Sequence, residues 1–252
     1  MKGKVKIVKE TSWEAIEKYE EILKGIKKRI DYEHDSVKYY DDLGNITEEN
    51  YYSPNNVLMY KVKKKYNEEG KLIDENIFNQ DGKLRSQKNM LYDEQGNEIQ
   101  IYYNDEGVIV YKLVVNYYDN GKREERFFHD LSTDRITKSS CLYDDMGNQI
   151  EQLQYNSDGS LDYKRTSLYD TRGNGIEWSQ YNPDGILDSK YSRKYDLNNN
   201  PIEWKQHYDS DGTQSPMKNW KYIYDIQGNW IKRIDFLDGV PKAIIEREIT
   251  YY

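Results

Sequence analysis

The sequence predicts an all-β fold: one long antiparallel β-meander of tandem hairpin repeats of about 26 residues, with roughly sixteen to eighteen strands. Three observations predict it. An aromatic residue followed by Asx, two free positions and Gly recurs eleven times, at Tyr40, Tyr66, Phe78, Tyr92, Tyr103, Tyr143, Tyr155, Tyr169, Tyr181, Tyr208 and Tyr224. Short Tyr-rich stretches separate the motifs, too short for a crossover to a parallel neighbour. Finally, the 252 residues reach 36% apolar only with the help of 26 Tyr, while 33% are charged. That leaves too little aliphatic mass for a thick dry core. An aromatic content of 14% argues against disorder.

Residues 1–39 form an N-terminal segment expected to cap the array. Lys4-Val5-Lys6-Ile7-Val8 alternates like a strand. The following stretch, Thr11 to Gly25, supports two readings. Thr11-Ser12-Trp13-Glu14 has the form of a capping box, with Trp13, Ile16, Tyr19, Ile22 and Leu23 at helical spacing, so a short helix competes with a hairpin.

Residues 40–252 carry the repeats. Alternate motifs begin at Tyr40, Tyr66, Tyr92, Tyr118, Tyr143, Tyr169, Tyr195 and Tyr224, a doublet of two turn-plus-strand halves. In Tyr181-Asn182-Pro183-Asp184-Gly185, Asn starts a turn, Pro supplies a preset φ and Gly takes a left-handed position, the signature of a three-residue hairpin loop. Asn199 stands where Gly would be, the substitution that a left-handed backbone tolerates. Unbroken pairing from such loops would place Ile176, Trp178, Lys190, Ser192, Trp204 and Gln206 on one face, with Tyr191 and Arg193 on the other and Arg193 opposite Glu203. Both faces are mixed, which predicts a single-layer or coiled, shell-like sheet held by cross-strand aromatic and ion pairs. Glu151, Glu177 and Glu203 read as a charged ladder answering Lys164, Lys190 and Arg193.

Tyr143-Asp144-Asp145-Met146-Gly147-Asn148, Tyr169-Asp170-Thr171-Arg172-Gly173-Asn174 and Tyr224-Asp225-Ile226-Gln227-Gly228-Asn229 resemble the YD repeats of the RHS/YD family, over about residues 40–252. The layout is also similar to exported YD-repeat proteins of gut and oral anaerobic bacteria, with their Gly-Lys-Val-Lys opening seen here as Gly3-Lys4-Val5-Lys6. The resemblance implies antiparallel sheets that coil into shells, or surface proteins associated with carbohydrate binding and cell contact. It also implies a place outside the cytoplasm: periplasmic, attached to an outer membrane or secreted. No apolar signal core follows Met1-Lys2-Gly3-Lys4, so an exported form is expected to carry its signal peptide outside this sequence.

The chemistry-bearing residues point away from catalysis. A net charge of −8 disfavours nucleic acid, although the first thirty residues, with nine Lys/Arg and five Glu, are locally basic. No apolar run is long enough to span a membrane. Cys141 stands alone, and His34, His129 and His207 lack metal-ligand spacing, so no metal and no cofactor is expected. Asp209-Ser210-Asp211-Gly212 opens like a calcium loop without its downstream ligands. The candidate ligand-binding residues are Trp178 and Trp204, at equivalent repeat positions, flanked by Lys190 and Gln206. The sequence therefore predicts a non-enzymatic binding or adhesion module whose partner is a glycan or cell-surface protein. A structural scaffold that self-associates is the alternative. A glycoside hydrolase is a third reading, which requires a cleft with converging carboxylates.

Overall fold

The computed structural model describes residues 1–27, 35–209 and 215–252. His34 and most of the Asp209-to-Gly212 turn lie outside these residues. Among the described residues there are nineteen strands and one short helical turn, Asp119–Gly121. Every pairing described is antiparallel, so the expected all-β hairpin meander is what forms.

The chain divides into two compact units. The first, Met1–Lys88 with Lys218–Tyr252, contains β1 (Val5–Lys18), β2 (Glu21–Lys27), β3 (Asp35–Tyr40), β4 (Ile46–Tyr52), β5 (Leu58–Tyr66) and β6 (Leu72–Asn79). β7 (Leu84–Tyr92) leads from it into the second unit, Asn89–Met217. That unit holds β8 (Glu98–Tyr103), β9 (Ile109–Tyr118), β10 (Arg123–Asp130), β11 (Arg135–Tyr143), β12 (Gln149–Tyr155), β13 (Leu161–Tyr169), β14 (Gly175–Tyr181), β15 (Leu187–Tyr195) and β16 (Pro201–Asp209). β17 (Lys218–Tyr224), β18 (Trp230–Leu237) and β19 (Val240–Tyr251) complete the first unit.

The turns form as their residues require. In the loop between β11 and β12, the Gly147 amide donates to the Asp144 carbonyl at 3.1 Å, and the Asp144 amide to the Asn148 carbonyl at 2.9 Å. The Asp144 carboxylate accepts the amides of Met146 and Asn148 at 3.0 and 2.8 Å, and Gly147 sits at φ +79°. Asn199 takes φ +63° in the glycine's place. The tyrosine before the turn reaches back across the sheet. Tyr66 and Tyr169 donate to the carbonyls of Ile46 and Gln149, each twenty residues earlier, at 2.9 and 2.8 Å. A tyrosine here supplies cross-strand area and also satisfies a neighbouring hairpin's backbone.

Pairing is not unbroken. Leaving the turn between β11 and β12, the register shifts by one residue after the first pair: Tyr143 faces Gln149 but Leu142 faces Glu151, so Ile150 is the extra residue of a β-bulge. The same shift follows the loops before β5, β6, β13, β14, β15, β16 and β18. A bulge adds local twist and, because side chains alternate with period two, exchanges the faces of everything beyond it.

The N-terminal segment resolves as a hairpin. β1 runs through Thr11–Trp13 without becoming helical and turns at Tyr19 and Glu20, both with positive φ. The helix alternative loses because β1 finds strand partners on both sides: β19 along Val5–Glu14, then β3 along Ile7–Glu10 and β2 along Trp13–Lys18. Burial rewards that pairing. Val8 is 1% exposed and Ile244 and Ile245 are 0% and 1%, and Ile245 packs with Ala243 and Trp230. Each such aliphatic side chain contributes about 1.5–3 kcal/mol.

The remainder of the first unit is held by charge. Glu49 lies buried between Lys64 (2.5 Å) and Lys38 (3.8 Å) and accepts the Tyr51 hydroxyl at 2.7 Å; Lys64 reaches on to Glu75 and Glu75 to Lys88. Burial works to raise the Glu49 carboxyl, but the Lys64 and Tyr51 hydrogen bonds prevail and hold it below its usual range.

Candidate functional site

β14, β15 and β16 bring the predicted aromatic residues together, through a register that differs from the unbroken one. The bulges at Asp188 and Ile202 pair Trp178 with Tyr191, Tyr191 with Gln206, and Arg193 with Trp204. Directly opposed residues share a face. Trp178, Tyr191, Arg193, Trp204 and Gln206 therefore stand together, with Gln180 next in line on β14.

The rings are in contact. Trp178 stacks on Tyr191 with centroids 5.5 Å apart and an interplanar angle of 21°, and Tyr191 meets Trp204 at 6.1 Å and 40°. The expected gap between the two indoles is filled by a tyrosine. All three residues are half-buried, so the row keeps part of its aromatic surface in solvent. Trp178 is positioned by Gly175, where a Cβ would collide with the far edge of the indole, so only glycine lets that ring lie over the strand. The Arg193 guanidinium lies 5.2 Å from the Trp178 ring.

Lys190 does not join this face. It pairs with Ser179 across the β14–β15 ladder and forms an ion pair with Glu177 at 2.8 Å on the opposite side. Its neighbours there are Lys164–Glu151 at 2.6 Å and Lys194–Glu203 at 2.8 Å. The charged ladder forms as expected for Lys164 and Lys190, whereas Glu203 is answered by Lys194 instead of Arg193. Gln206 is on the aromatic face and accepts the Ser215 hydroxyl at 2.9 Å. Tyr191, Arg193 and Gly175 belong to the site and were not singled out by the sequence. The only advance sign was chemical: an Arg at the level of two Trp.

The other candidates form no comparable site. His129 pairs with Asp134 at 2.7 Å and His207 with the Ser192 hydroxyl at 2.6 Å. Among the described residues no cluster of three His, Cys, Asp or Glu is placed to hold a metal. Cys141 is fully buried, and burial pushes its thiol up to about 11, away from reactivity. Among the described residues no helix is long and apolar enough to cross a membrane.

No family model and no curated protein matches the chain. Among solved structures, it is similar to a porin-like protein from Bacteroides uniformis, with 9% identity, 99% of each chain covered and a TM-score of 0.48. It is also similar to a domain described as an outer membrane lipoprotein-sorting protein, from Vibrio parahaemolyticus. There the identity is 12%, 67% of this chain and 77% of that chain are covered, and the TM-score is 0.21. Neither likeness assigns a role to this chain.

Proposed function

We propose that this protein is a non-catalytic, extracytoplasmic binding module that takes carbohydrate on the face of β14–β16. The contiguous row Trp178–Tyr191–Trp204 carries the reading. Aromatic planes cover the C–H faces of sugar rings, and the amides of Gln180 and Gln206 offer paired donors and acceptors to hydroxyls. The register supports a role without catalysis, because it sends Glu151, Glu177 and Glu203 to the face opposite the row. The likeness of the Tyr-Asp turns to RHS/YD repeats supports a surface or exported setting. A glycan array tests the proposal. The wild-type chain should bind a subset of glycans, and the Trp178→Ala/Trp204→Ala double variant should lose that binding while keeping its melting transition. Unchanged binding by the folded double variant would overturn it.

A structural role is the second reading, favoured by apolar side chains at turn tips. Leu43, Leu197 and Ile226 are 80%, 94% and 103% exposed, at positions where any polar residue would serve the turn. In that reading these tips contact further copies of the chain, and light scattering at high concentration should show assembly. A monomer throughout would count against it.

A further inference from the structure

The aromatic face carries two arginines that make no ion pair among the described residues. There the buried Nε of Arg193 has no hydrogen-bond partner, and its Nη1 lies 3.5 Å from the Tyr195 hydroxyl. Arg165 on β13 donates from Nε to Gln180 at 2.8 Å and lies 4.5 Å from the Tyr163 ring, again with no carboxylate. Gln180 pairs directly with Arg165, which places both arginines on the face of Trp178. Across β12 to β16 the described pairings assign Gln152, Gln154, Arg165, Gln180, Arg193 and Gln206 to this face, and the acidic residue paired into it is Asp209, opposite Ser189 at the end of β16. The glutamates of the same strands sit on the other face and are held there by Lys164, Lys190 and Lys194. In a chain of net charge −8, the two arginines thus stand apart from the glutamates of these strands, which are paired with lysines on the other face.

We propose that the ligand of this face is an acidic carbohydrate, with a carboxylate or sulfate ester received by Arg193 and Arg165 while its sugar rings lie on the row from Trp178 to Trp204. This inference rests on the carbohydrate reading above and adds the charge of the ligand to it. An arginine fork matches a carboxylate or sulfate through two parallel hydrogen bonds. Held against indole and phenol rings, it loses less conformational freedom on binding than a free side chain would.

Two matched pairs of probes test it by titration calorimetry on the full chain: oligogalacturonate against its methyl ester, and dextran sulfate oligomers against dextran. The acidic member of at least one pair should bind roughly tenfold or more tightly than its neutral partner, with the gap closing as salt is added. Which pair responds separates carboxylate from sulfate. Arg193→Gln and Arg165→Gln should bring the affinity for the acidic probe down to that for its neutral partner, while Arg193→Lys, which keeps the charge, reports on folding and retains part of the preference. Equal affinity for acidic and neutral members, lost in the double tryptophan variant, would overturn the acidic inference and leave the carbohydrate reading standing. Neutral glycans bound on the array with none of the four probes bound would do the same. No binding to any glycan in either experiment would overturn both.

Discussion

Asp170 shows how much one side chain does in a three-residue loop. Its carboxylate accepts the amides of Arg172 and Asn174 at 2.9 Å each, and its second oxygen accepts the Asn174 side chain at 3.0 Å. These bonds favour the charged form, the side-chain bond from Asn174 most of all, and hold the carboxyl at about 2. Asp93 and Asp144 are lowered in the same way by Asn97 and Asn148. A carboxyl lowered in the folded state adds stability that is present above its unfolded value near 3.9 and lost as pH falls through its folded value. NMR titration of Asp170 should therefore give a midpoint near 2, and the melting temperature should begin to fall below about pH 4. A midpoint near 3.9 would contradict this account of the turn. Asp170→Asn keeps an oxygen for the two amides but not the one that accepts the Asn174 side chain, so it should melt below wild type, and Asp170→Ala, which loses both, lower still. Gly175 acts through space instead: Gly175→Ala should displace the Trp178 indole and weaken glycan binding with little change in the melt. Unchanged binding by that variant would show that the indole's position does not matter.

At the scale of strands, the β-bulge decides which residues meet. The turns were legible in the sequence because Asx, Pro and Gly act locally through hydrogen bonding and φ. The bulge was not, because its extra residues Ile150, Ile176, Asp188 and Ile202 look like ordinary strand residues. That single slip explains why the two indoles were placed correctly on one face while Tyr191, Arg193 and Lys190 were each put on the wrong side of them. Pairing of β1 with β19 was equally illegible, since contacts such as Lys9–Glu248 join residues 239 apart and leave no local pattern. Its strongest fastening is testable. The Arg247 guanidinium lies 3.4 Å from the Trp230 ring centre and pairs with Glu10 at 2.6 Å, both side chains 18% exposed. Burial lowers the Arg247 value, against the pull of Glu10. Glu10→Ala strands that guanidinium, and denaturant unfolding should show a loss of about 3 kcal/mol, near the lower end for a broken buried pair. A change under about 0.5 kcal/mol, ordinary for a surface residue, would mean that the pair does not fasten β1 to β19.

For the molecule as a whole, the composition is explained by where its residues work. The missing aliphatic core is replaced by tyrosines that bridge neighbouring hairpins, by ion-pair ladders and by a small apolar cluster around Trp230, Ala243 and Ile245. Repetition makes such a chain's stability a sum of neighbour terms. It also leaves departures from the repeat as the places to seek function. Trp178 and Trp204 are such departures: the same position, nine residues after the motif tyrosine, is Gln152 in the preceding doublet and Phe127 in the one before it. The two tryptophans were visible in the sequence for that reason, while the charge on their face emerged only once the register was known. The five tryptophans, Trp13, Trp178, Trp204, Trp220 and Trp230, provide the most direct test. Indole N–H signals followed by NMR during titration with a glycan that the chain binds should shift for Trp178 and Trp204 and stay fixed for Trp13, Trp220 and Trp230. Shifts confined to the other three, with Trp178 and Trp204 unmoved at saturation, would contradict the assignment of the β14–β16 face as the binding site.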